Sequence, residues 1–249
     1  MSEVQPPPSL SVSRLPELIA MAREPSSEAR RSLLRELTDH FFGSTTHTDV
    51  ERDLYGTVLA TLSSDMEQAV KAELSKRFAQ ASEAPRSLIR KLALDEAPVA
   101  GPVLRQSPVL SEDDLIAVVR EKGQFHLRAV SQRETVSQAV SDIIIDRGDD
   151  ATLGALLRND GADISRSGAE IAVDRARLNP ELHAATVERS SFPPDLLNEM
   201  YFVVEARLRQ RILDQNAALD PVLLENALIA GRDRIATEDG ILPDDHAEC

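Results

Sequence analysis

Cysteine occurs once in this chain of 249 residues, as Cys249; tryptophan is absent, and aromatic residues make up only 3%. One thiol excludes an intrachain disulfide and a cage of thiolates around a metal, and makes a reducing, cytoplasmic compartment the expectation. The same cysteine is misplaced for prenylation, which requires it four positions from the end. No stretch approaches the roughly 18 consecutive apolar residues of a membrane span. The opening MSEVQPPPSLSVS has neither the basic region nor the apolar core of an export signal. A soluble protein with no membrane partner is therefore expected.

The motifs of common chemistries are missing as well. No GxxxxGK[ST] or GxGxxG phosphate loop and no G-x-S-x-G elbow occurs, and Gly154, Gly161 and Gly168 are spaced for turns and helix contacts. His40, His47, His126, His183 and His246 are scattered, without the second histidine three or four residues on that a helical metal site needs, so no metal and no cofactor are expected. The paired acids Asp113-Asp114 and Asp149-Asp150 fall at helix beginnings, where the helix dipole stabilises a carboxylate without any catalytic task. An enzyme is not expected. Positive charge is also in deficit: 28 Lys and Arg stand against 42 Asp and Glu, a formal charge of −14. Such a balance repels a phosphate backbone, so nucleic acid is not an expected partner. The excess is concentrated after Leu213, where residues 214–249 hold nine acids and two arginines.

What the chain does have is leucine, isoleucine, valine and alanine at helical spacing, and this makes it all-α. One pattern, a short helix, a polar break and a longer helix, is written twice between Pro85 and Gly148. When Leu104 is laid on Val130, the breaks SPVLSED and RETVSQ coincide. A unit this short cannot bury its apolar face alone, so such units stack. The expected architecture is an α-solenoid of HEAT-like helical hairpins over 64–213. It is preceded by a flexible lead (1–13) and an N-terminal helical cap or small bundle (14–63), and followed by a terminal helix and acidic tail (214–249).

In order, a first short helix is expected over Leu15 to Arg23, ended by Pro25, and a second over Ser27 to Phe42. Thr48-Asp49-Val50-Glu51 and Ser64-Asp65-Met66-Glu67 both have the capping-box form and should start helices. Their buried stripes read Val50, Leu54, Val58, Leu62 and Met66, Val70, Leu74, Phe78. Pairs follow at 66–80 with 85–95, 98–106 with 111–122, 124–133 with 135–147, 150–158 with 166–177, and 180–189 with 194–213. Val136, Val140, Ile143 and Ile144 form the stripe of the third pair, and Leu197, Tyr201, Val204, Leu208 and Ile212 that of the longest helix. Gly123 and Gly148 suit the C′ position, with positive φ. Pro85, Pro180 and Pro194 suit first turns, and Asp220-Pro221 opens a final helix to about Ala236.

Arginine recurs near the end of the first helix of each pair: Arg77, Arg105, Arg133, Arg158 and Arg189. Either these form a ladder that grips carboxylates or phosphates bidentately, or they sit at helix C-termini because the dipole favours cations there and pair with acids such as Asp95, Asp146 or Asp149. Arg207 and Arg211, one turn apart, form a second candidate anion patch. The candidate binding residues are thus Arg105, Arg133, Arg158, Arg189, Arg207 and Arg211.

The runs LLRELTDHFF, APRSLIRKLALDEAPVAGPVLRQSPVLSEDDL, RETVSQAVSDIIIDRGD, LLRNDGADIS and ERSSFPPDLL together resemble the bacterial domain-of-unknown-function family 2336, over about residues 30 to 213. LALDEAPVAGPVLRQSPVL is also similar to leucine-rich-repeat-variant and HEAT-like units, which implies a right-handed stack of helix pairs. The cysteine-bound iron–sulfur cluster of some repeat-variant proteins has no ligands here. The function expected is a helical-repeat adaptor or scaffold for a protein or peptide, with residues 14–63 either packing on the repeats or joining two copies as a homodimer. A small-anion or nucleotide sensor using the arginines is the second reading. A HEAT-like DNA glycosylase is the third, disfavoured by the charge and the missing tryptophan.

Overall fold

A computed structural model of the chain describes residues 27–43 and 47–238. Among these residues the regular structure is helical, and the one β-type contact is an isolated parallel bridge between Val136 and Ala162. The lead at 1–13, the helix read over Leu15 to Arg23 and residues 239–249 of the acidic tail lie outside the described residues. The chain divides into two compact units, 1–111 and 112–249.

Unit 1 contains α1 (Ser27–Gly43), α2 (Asp49–Ser63), α3 (Gln68–Phe78), α4 (Arg86–Ala93) and α5 (Ala97–Gln106). α1 packs against α2, and α4 against both α3 and α5; the more extensive contacts join helices two along, α2 on α4 and α3 on α5. On the other side of α3, α1 is joined to it by Arg77 on Asp39 at 2.8 Å and by Phe41 against Phe78. Two rows result, α1/α3/α5 and α2/α4. Half of the scarce aromatics gather here around Phe41, which meets Phe42, Tyr55 and Phe78 and has His47 stacked on it, while Phe42 also meets Phe78.

The capping box at Thr48 is present in full, its hydroxyl accepting from the Glu51 amide and the Glu51 carboxylate accepting from Thr48 N–H. That at Ser64 is not. The Ser64 hydroxyl donates backward to the Ala60 carbonyl at 2.9 Å, and α3 starts only at Gln68 behind an N-cap Glu67 that makes no side-chain cap bond. The stripe expected on α2 also turns out differently: Leu62 is buried but Val50 and Leu54 are exposed, and the inward face is Gly56, Leu59 and Leu62. Close approach of α4 decides this, because a Cβ at residue 56 would collide with Ser87 Oγ and lie 2.9 Å from Pro85 Cβ. The side of α2 that carries glycine is the side another backbone can approach.

Unit 2 contains α6 (Glu112–Glu121), α7 (Gln124–Ser131), α8 (Gln138–Arg147), α9 (Asp150–Leu157), α10 (Arg166–Leu178), a 3-10 turn (Pro180–Leu182), α11 (His183–Val187), α12 (Pro194–Met200), α13 (Ala206–Ala217) and α14 (Pro221–Glu238). The packing rule is the same. One row is α6/α8/α10/α12/α14 and the other α7/α9/α11/α13. Leu127, Val130, Val140, Ile144, Leu153, Leu156, Val173 and Leu196 are fully buried between the rows, and cutting one of these leucines to alanine is worth about 2–5 kcal/mol.

Three sequence expectations are corrected in this unit. The helix read over 194–213 is two helices, parted by a turn at 201–204 in which both Val203 and Val204 amides bond to the Met200 carbonyl. The break lets Leu208 and Ile212 of α13 pack onto the other row. Gly123 is an N-cap residue (φ −87°) and Gly148 a C-cap (φ −73°), both extended and neither at positive φ. Gly148 is needed for closeness, since its amide bonds the Ile144 carbonyl at 2.7 Å where a Cβ would sit 2.5 Å from that oxygen.

Candidate functional site

Helix C-termini leave carbonyl groups without intrahelical donors, and a recurring answer here is a side chain from the helix two along. Lys91 of α4 donates to Ala60 O of α2 at 2.5 Å. In unit 2, Arg147 of α8 reaches Val119 O of α6, and Arg175 of α10 donates to Ile145 O (3.1 Å) and Gly148 O (3.0 Å) at the end of α8. In the other row Asn159, just after α9, donates to Ser131 O (2.8 Å) and Arg133 O (2.7 Å) at the end of α7. Gln215 of α13 reaches Val187 O of α11 at 3.4 Å.

Arg189 is the fullest case. Its Nη1 donates to Leu157 O (3.0 Å), Asn159 O (2.9 Å) and Leu156 O (3.4 Å), and Nη2 to Ala162 O. The residue is 3% exposed, and burial holds its guanidinium below the usual arginine range. Its carbon end lies over Phe192, 5.8 Å from the ring centre. Arg133 is half-buried, and desolvation likewise lowers it. Arg77 is held by Asp39 and lies 5.5 Å over Phe42. Arg105 and Arg158 fold back along their own helices, each with a guanidinium nitrogen 3.3 Å from where a Cβ would stand on the glycine one turn earlier, Gly101 and Gly154. Of the acids named as partners, Asp95 pairs with Lys71 (3.0 Å) and Asp149 with Arg128 (3.3 Å).

Arg207 and Arg211 are brought together on one exposed side of α13, next to the buried stripe of Leu208 and Ile212, and Leu208 also lines the depression beside them. With Glu188, Gln210 and Asp214 they line an open depression of about 530 Å³. Arg207 faces Glu188 at 3.3 Å with both side chains mostly in solvent, and Asp214 accepts from Gln210 at 2.9 Å. Arg209, between the two on the sequence, is instead tied to Val204 O at 3.0 Å. Two cations and two carboxylates thus share one solvent-facing patch. It can exchange water for a complementary set of opposite charges, and it offers a lone phosphate as much repulsion as attraction.

Arg166, Arg175 and Asp195 were not singled out in the sequence. Arg166 grips the buried Asp195 of α12 with both Nη atoms, one at 3.1 Å, and donates from Nε to Glu170 at 2.8 Å. Asp150 takes Arg175 and Asn179, which hold its carboxyl below the usual range. Asp149 is lowered too, by the Thr152 bond first and Arg128 after it. The available signal was spacing, since the partners stand 29 and 25 residues apart, close to the offset at which Leu104 aligns with Val130 in the sequence. Among the described residues no group of three or more His, Cys, Asp or Glu could hold a metal ion, and no helix is long and apolar enough to cross a membrane.

A family model described as an uncharacterised protein conserved in bacteria (DUF2336) matches residues 99–248. It takes in α6 to α14 and most of α5, and leaves α1 to α4 outside. No curated protein and no solved structure matches the chain.

Proposed function

We propose that this chain, which belongs to the DUF2336 family of bacterial proteins, is a non-catalytic adaptor in which helical hairpins stack in the HEAT-like manner and hold a mixed-charge face out to a protein or peptide. Support for the stacking comes from the two rows of helices and from side chains that cap the helix two along at several of the row contacts. Such a stack keeps its core between the rows and leaves regularly spaced side chains facing outward.

The observation that carries the partner class is the gathering of Arg207 and Arg211 with Glu188 and Asp214 around one exposed depression. A surface of both signs matches another protein surface, where each charge finds its opposite and wrong partners are repelled. A nucleotide or free phosphate would meet Glu188 and Asp214 beside the two arginines.

The test compares the wild-type chain with the double variant Arg207→Glu/Arg211→Glu, first confirmed to melt at the same temperature. Affinity capture from the native cytoplasm followed by titration of the purified partner should give binding that is lost in the variant and weakened by salt. Inorganic phosphate and a nucleotide panel should leave Tm unchanged. Equal binding by both chains, or a rise of Tm with a nucleotide, overturns the proposal, and the second result favours a sensor.

A further inference from the structure

We infer that α13 is the docking helix for a second copy of this chain, the two α13 helices lying antiparallel about a two-fold axis. The inference rests on the reading of this face as a protein-binding one, and it names the protein.

Exposed apolar side chains gather along α13 and at its two ends. Leu213 is 45% exposed within the helix. Phe202 (79%) and Val203 (42%) come just before it, and Val222 (64%) and Leu223 (61%) just after it, at the start of α14. Buried Leu208 and Ile212 fix the inner side of α13. On the outer side Ala206, Gln210, Leu213 and Ala217 are all exposed and succeed one another at steps of four, three and four. That spacing is the seam of a two-helix coiled coil, with one polar residue in it to set the register.

Charge decides the partner and its direction. Arg207 and Asp214 flank the seam on one edge, Arg209 and Asn216 on the other. Arg209 is tied to Val204 O at 3.0 Å and Asn216 to Asn198 at 2.8 Å, so the first edge is the one open to new pairs. The Glu188 contact of Arg207 lies in solvent and competes weakly. In an antiparallel pair like edges meet, and the two-fold axis then sets Arg207 on Asp214 of the other copy twice over. The same axis lays Gln210 against Leu213 and Ala206 against Ala217 of the other copy. Because start meets end, it also brings Phe202 and Val203 to Val222 and Leu223 of the other copy. A parallel pair would offer Asp214 only the engaged Arg209, and would set Arg207 beside Phe202. The seam alone, 12 residues and about 18 Å long, is small against the roughly 1,000 Å² of a stable interface. The four apolar side chains at its ends enlarge it.

Light scattering on the full chain at rising concentration tests the inference, and the mass should double. Arg207→Asp or Asp214→Arg alone sets like charges across the axis, and each should leave a monomer whose circular dichroism is that of the wild type. The swap Arg207→Asp/Asp214→Arg should restore the dimer. Within one copy the two positions stand about 10 Å apart along the helix, beyond the reach of a pair one turn apart, so rescue reports contact between copies. A wild-type chain that stays monomeric at every concentration overturns the inference. So does a dimer that survives both single reversals, or a swap that restores nothing. The adaptor proposal fails separately: a monomer that captures a different protein through Arg207 and Arg211 sinks the dimer alone, and a dimer that captures nothing further sinks the adaptor alone.

Discussion

The guanidinium of Arg189 donates to the carbonyl of Leu157 at 3.0 Å, across 32 residues of sequence. It thereby caps α9 from the turn that follows α11, placing a cation on the negative end of the helix dipole. Because the same side chain also serves Asn159, Ala162 and Leu156, it holds the loop after α9 as well as the helix end.

Arg189→Ala should therefore cost about 3 kcal/mol or more, since several buried carbonyls lose their donor at once. Arg189→Lys should recover little, because a single ammonium cannot replace a planar fork aimed at four oxygens. Urea denaturation followed by circular dichroism measures both, and a loss under 1 kcal/mol for Arg189→Ala would contradict this account.

Arg166→Ala should leave the Asp195 carboxylate, 5% exposed, without its main partner. A loss of about 2–3 kcal/mol is expected, toward the low end for buried pairs because Arg166 itself is half in solvent. Replacing both residues by leucine should restore part of it, as no charge then remains to be desolvated. The double-mutant cycle is read from denaturation midpoints.

Acid should weaken unit 2 in a definite direction. Asp149 and Asp150 have folded values below the ordinary aspartate value of 3.8, held there by Thr152 and by Arg175 respectively. Their contribution is complete above that ordinary value and is lost as pH falls through the lower folded ones. Midpoints of urea unfolding measured downward from pH 5 should decline in the wild type and decline less steeply in Asp150→Asn. Identical slopes would show that the Arg175 pair carries no such linkage.

How much of this was legible beforehand follows from how far each determinant acts. The capping box at Thr48, the proline starts at Pro194 and Pro221 and the stripe through Leu74 and Phe78 are written within one or two turns, and they appear as read. The division of 194–213 into α12 and α13 was hidden because no glycine or proline marks it. It arises where Val204 and Leu208 must face the core from two directions. Arg189 and Arg207 look alike in sequence, yet one is buried on main-chain carbonyls and the other stands in solvent beside Glu188.

By itself the sequence determined that the chain is helical and where most helices begin, because hydrophobic period, caps and turn residues act on neighbours a few positions away. The tertiary structure decided which face of α2 turns inward, which arginines remain exposed and which acid each one meets. Those choices depend on the helix two elements along, some 25 to 32 residues distant, and a local pattern carries no information about what will be packed against it.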